Sequence, residues 1–74
     1  MRQGIFRLNF STMAILSDSS QRTIVTIPEH SMVTVFEGDV DGYGFLKIRY
    51  KNQVLDVFAL DFRNRGESIF EQSA

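Results

Sequence analysis

The chain has 74 residues, no cysteine and a formal net charge of −1. That length suits one domain with a thin core, and the missing thiols exclude disulfide staples, thiolate metal sites and cysteine nucleophiles. A near-neutral charge argues against polyanion binding by bulk electrostatics, and 43% hydrophobic residues with seven Phe exclude disorder.

Apolar runs reach only four residues, as at Val57 to Leu60, too few for a transmembrane helix. Residues 1–16 have no apolar stretch or small-residue cleavage site of the kind a signal peptide needs. The expectation is a single domain over residues 1–74, cytoplasmic, bacterial, and without a membrane partner.

Along the chain, apolar and polar residues alternate with period two between turn signals, the pattern of an all-β fold. From Ile5 to Leu16 the even positions Phe6, Leu8, Phe10, Thr12, Ala14 and Leu16 form one mostly apolar face. That is long for one strand and predicts either a strand bent near Ser11 or two strands in sequence. Asp18 to Gln21 is a polar turn, and Arg22 to Ile27 returns as a strand. Pro28 to Ser31 reads as a type I turn with proline at its first central position. Met32 to Glu37 is the next strand, and Gly38 to Gly42 the strongest turn signal.

The best-defined element is a hairpin of Tyr43–Tyr50 and Gln53–Ala59 about a two-residue turn, Lys51-Asn52. Its register pairs Leu46 with Val57 and Ile48 with Leu55 on an inner face. The outer face then pairs Phe45 with Phe58, Lys47 with Asp56, and Arg49 with Val54. Ala59 to Phe62 predicts a short 3₁₀ turn, Asn64 to Gly66 a bend, Glu67 to Phe70 a closing strand, and residues 72–74 a frayed end.

Five to six short antiparallel strands, a late 3₁₀ turn and a short last strand resemble a small SH3-like barrel. The pieces that carry the resemblance are Pro28 to Ser31, Val33 to Val35, Gly38 to Gly44 and Asp61 to Glu67. Together they are similar to small, uncharacterised bacterial proteins of this shape. The resemblance spans about residues 23–70 and implies a fold but no activity.

No constellation for catalysis, a cofactor or a metal stands out. A calcium loop begun at Asp39 would place Tyr43 and Tyr50 where oxygen ligands are required. His30, the single histidine, sits in a turn with no partner set for nucleophilic catalysis. Ala59-Leu60-Asp61-Phe62 is like a peptide-binding segment of eukaryotic SH3 domains, yet lacks its tyrosine and lies at the wrong end of the fold.

Two functional readings remain. The first is a non-enzymatic interaction module, binding a protein partner or a second copy of itself. Its surface is the outer hairpin face, with Phe36, Phe45 and Phe58 rimmed by Lys47, Arg49 and Asp56, and Met32 and Val54 on the same side. The second is weak nucleic-acid binding of the ribosomal KOW type, through Lys47, Arg49, Lys51, Arg63 and Arg65. Against it, residues 29–44 hold Glu29, Glu37, Asp39 and Asp41 and no Lys or Arg. The interaction reading turns on one question: whether residues 1–16 cover the second apolar face of the hairpin.

Overall fold

The structure, a computed structural model, describes residues 2–18 and 20–73. Seven antiparallel strands carry most of the chain: β1 (Arg2–Leu8), β2 (Thr12–Asp18), β3 (Gln21–Ile27), β4 (Met32–Glu37), β5 (Phe45–Tyr50), β6 (Gln53–Phe58) and β7 (Gly66–Ser73). One helix, α1 (Ala59–Arg65), joins β6 to β7. They form one sheet in the order β3-β2-β6-β5-β4-β1-β7. Among the described residues no helix is long and apolar enough to cross a membrane.

The all-β expectation holds, with three corrections. First, the strands number seven rather than five to six, because Ile5 to Leu16 is two strands. The chain turns between them at Asn9 to Ser11, where the Asn9 N–H donates to the Arg65 carbonyl at 2.7 Å and Arg65 Nη1 donates to the Ser11 carbonyl at 3.3 Å. The turn is therefore held by a helix more than 50 positions away, which period-two reading cannot see. Second, the sheet is not closed into a barrel. β3 and β7 lie at its two edges, since the β2–β3 hairpin joins β6 at Ile15↔Asp56 while β7 pairs with β1.

Third, the expected 3₁₀ turn is an α-helix that runs on through Asn64 and Arg65. Ala59 and Phe62, three positions apart, face the core. Asp61 lies in its first turn and Arg63 and Arg65 in its last, the charge order that a helix dipole favours. The Gly66 N–H caps it by donating to the Phe62 carbonyl.

Inward side chains of six strands converge on one cluster: Phe6 and Leu8, Ala14, Ile27, Val33 and Val35, Leu46 and Ile48, Leu55 and Val57. A flat sheet could not bring both ends together, so the sheet curls around its own inner face. Phe62 of α1 plugs the open side and meets the Phe6 ring edge-on at 5.0 Å between centroids. Val40, in the loop read as the strongest turn signal, is buried in the same cluster. Around it the Asp39 carboxylate accepts from the Asp41 N–H at 3.0 Å, an Asx-type turn that lets the acids face out while Val40 faces in.

The Pro28 turn also differs from its predicted form. Ser31 N–H donates to the Pro28 carbonyl at 3.3 Å, which puts Pro28 at the first of the four turn positions, not the first central one, and His30 at the third. His30 has φ 70°, the signature of a type II turn rather than type I. Its N–H donates to the Leu8 carbonyl at 2.6 Å, and this bond to the end of β1 holds the strained residue in place.

Because Phe62 is fully buried and packs on Phe6 in the core, Phe62→Ala should cost roughly 3–5 kcal/mol, most of the stability of so small a domain. Urea unfolding followed by circular dichroism measures this; a loss below about 1 kcal/mol would mean that α1 is not part of the core.

Candidate interaction surface

The surface is organised by the β5–β6 hairpin. Lys51 and Asn52 take φ of 49° and 63°, both left-handed, as a two-residue type I′ turn requires. That turn sets the register Phe45↔Phe58, Leu46↔Val57, Lys47↔Asp56, Ile48↔Leu55 and Arg49↔Val54. Leu46, Ile48, Leu55 and Val57 are buried, so their neighbours along each strand point out of the curled sheet.

On that outer side Phe45 and Phe58 stack on each other at 4.4 Å between centroids, yet remain 50% and 52% exposed. One pair further along, Lys47 Nζ donates to Asp56 Oδ1 at 3.2 Å. The Arg49 guanidinium then lies over the Phe36 ring, 5.4 Å from its centroid. Phe36 is at a register shift between Val35 and Glu37, and the shift places Glu37 opposite Lys47. All six residues predicted for the surface thus lie on β4, β5 and β6. Phe45, Phe58, Lys47 and Asp56 form two adjoining pairs, while Phe36 and Arg49 form a third along the row.

Among the described residues, 2–16 do not cover this face. β1 pairs in plane between β4 and β7, and β2 pairs in plane beside β6. The β2–β3 hairpin instead widens the face with residues outside the predicted site: Met13, Ile15 and Ile24. Ile15 stands opposite both Asp56 and Ile24. Met13 and Ile24 are 63% and 69% exposed. Their signal in the sequence is the odd-numbered apolar pair Met13 and Ile15, out of phase with the inward even positions.

Two shallow depressions mark the joint between hairpins. One, of about 170 Å³, is bordered by Met13, Ile15, Ile24, Phe45 and Phe58. The other, of about 340 Å³, lies next to it and is more polar, with Arg22, Glu37, Lys47 and Asp56 on its rim. The face therefore has an apolar centre and charges of both signs beside it.

Of the cations of the nucleic-acid reading, Lys47 and Arg49 alternate along the outer side of β5, and the other three lie beyond its ends or on α1. Lys47 is paired with Asp56, Arg63 lies over the Tyr43 ring before β5 begins, and Lys51 lies over Tyr50 after it ends. Those ends of β5 are roughly 17 Å apart. Arg65 is turned to the Ser11 carbonyl. At Tyr50 the phenol pKa is lowered, chiefly by its hydrogen bond with Ser31 and further by the Lys51 ammonium. Among the described residues no three His, Asp or Glu side chains converge where they could hold a metal ion. His30 is exposed, its imidazole Nε2 3.7 Å from a Glu29 carboxylate oxygen.

Comparison with protein-family models, curated proteins and solved structures finds no match to this chain.

Lys47 and Asp56 are the charges set within the apolar field, with side chains 44% and 25% exposed. A double-mutant cycle of Lys47→Ala and Asp56→Ala should give a favourable coupling of roughly 0.5 kcal/mol that shrinks in 1 M salt. A coupling of zero at low salt would show that the pair does not order this face.

Proposed function

We propose that this chain is a non-catalytic interaction module that binds a protein through the outer face of its sheet. One observation carries the reading: Met13, Ile24, Phe45 and Phe58 lie together, largely exposed, around one depression on the side of the sheet away from the core. Scattered exposed apolar residues need no explanation, but a contiguous group costs solubility unless something binds it. The stacked Phe45–Phe58 pair supplies the rigid aromatic centre that binding surfaces favour. Lys47, Asp56, Glu37 and Arg49 beside it supply orientation, and their balanced signs suit a partner with both acidic and basic groups.

An SH3-like relationship is part of the proposal. The β4–β5–β6 meander, the short helix α1 and a last strand that returns beside β1 support it. In that reading the β2–β3 hairpin is an elaboration that holds the sheet open and enlarges the binding face. A reducing compartment such as a bacterial cytoplasm suits a chain without cysteine.

A photo-crosslinking residue placed at Met13 in living cells tests the proposal. One or a few discrete protein adducts should form, and Phe45→Ser with Phe58→Ser should abolish them. A crosslinker at Asn52, in the turn at the opposite end of the β5–β6 hairpin, should give none. Adducts that survive the double substitution, or equal yields from the two positions, would overturn the assignment.

A further inference from the structure

Strands β3 and β7 both end the sheet, but only one of them is guarded. β7 pairs with β1 across a register shift between Ile5 and Phe6 and carries the exposed Glu67. Bulges and charges are the usual devices that keep an edge from adding another strand. β3 (Gln21–Ile27) has neither a bulge nor a proline within it. Its seven pairs with β2 run unbroken from Thr12↔Ile27 to Asp18↔Gln21. It reads Gln-Arg-Thr-Ile-Val-Thr-Ile, five consecutive β-formers with Arg22 as its single charge.

We infer that β3 is a self-pairing edge, and that a second copy of this chain adds to it antiparallel about a two-fold axis at Ile24. The register follows from the pleat. For both copies to keep their core faces on the same side, residues i and j opposite each other must have the same parity. Centring on Ile24 meets that condition and pairs the whole strand: Gln21 with Ile27, Arg22 with Thr26, Thr23 with Val25, and Ile24 with its own counterpart. Centring on Val25 would lose Gln21 and bring Arg22 against Pro28, which has no N–H to give.

Two further features agree with this axis. Arg22 of each copy faces a threonine, so no like charges are opposed. On the outer face Ile24 is directly opposite Ile15 within the chain. The axis therefore makes a continuous apolar row, Ile15, Ile24, then Ile24 and Ile15 of the second copy, through the centre of the interface. Backbone hydrogen bonds along an edge unpaired among the described residues supply the association, and the isoleucine row supplies the register. The contact is small, so the dimer is dilution-sensitive.

This inference shares Ile24 with the binding face proposed above but is argued from the backbone edge of β3. The absence of cysteine makes its test clean, because any disulfide reports the introduced residue alone. Under mild oxidation Ile24→Cys should give a covalent dimer on a non-reducing gel. Thr23→Cys, facing valine, and Phe45→Cys, on the outer face, should give at least tenfold less. In sedimentation the unmodified chain should approach twice the single-chain mass as concentration rises, whereas Ile24→Lys, with unchanged circular dichroism, should stay single because the axis sets lysine against lysine. Phe45→Ser should leave that dimer intact while abolishing partner adducts, so the two proposals fail separately. A single-chain mass at all concentrations, or crosslinking as strong from Thr23→Cys or Val25→Cys as from Ile24→Cys, would overturn the assignment.

Discussion

The fold depends on one constraint more than any other, the two left-handed residues at Lys51 and Asn52. A two-residue turn permits only one register for the strands it joins, and a slip of one position would exchange the faces. With the register set, four aliphatic residues of β5 and β6 enter the core. Phe45 and Phe58 are then left outside with Lys47 and Asp56. The hydrophobic drive to bury the inner four is greater than the gain from hiding two phenylalanines whose rings already shield one another. The exposed aromatic pair is thus a consequence of correct folding.

Everything else is arranged around that hairpin. β4 pairs with one side of it and β2 with the other, and β1 with β7 extends the β4 side. Curling brings the inner faces into contact, and Phe62 of α1 and Val40 of the acidic loop fill what the strands leave open. The outer face has no such second layer among the described residues. An unlayered sheet face is tolerated when it is polar; here it is apolar at its centre, which is why a protein partner is the reading that fits.

Elements governed by local chemistry were legible in the sequence. The hairpin register, the alternation of Val33 and Val35 against Met32 and Phe36, and the turn at Gly38 follow from period and turn residues alone. What was not legible depends on distant partners. The length of the apolar face from Ile5 to Leu16 announced a bend or a break near Ser11, but not that Arg65 holds the chain there. The openness of the sheet depends on which edge β2 finds, which alternation does not encode. Val40 looked like part of a solvated acidic turn because its neighbours are Asp39 and Asp41, yet one apolar side chain in such a loop can reach the core. For the candidate surface, the six predicted residues lie where the register puts them. Met13, Ile15 and Ile24 were missed as members because alternation does not tell which strand pairs beside β6.

The central claim is that the outer face of the β5–β6 hairpin is left open by the chain itself. Thiol labelling of single-cysteine variants tests it most directly, since the chain has no cysteine of its own. At concentrations low enough to keep the chain single, Phe45→Cys and Phe58→Cys should react with a small disulfide reagent within about tenfold of free cysteine, and Val35→Cys should react only on unfolding. Protection of the thiol at position 45 or 58 to the level seen at position 35 would show that the chain covers this face, and the interaction surface would not exist.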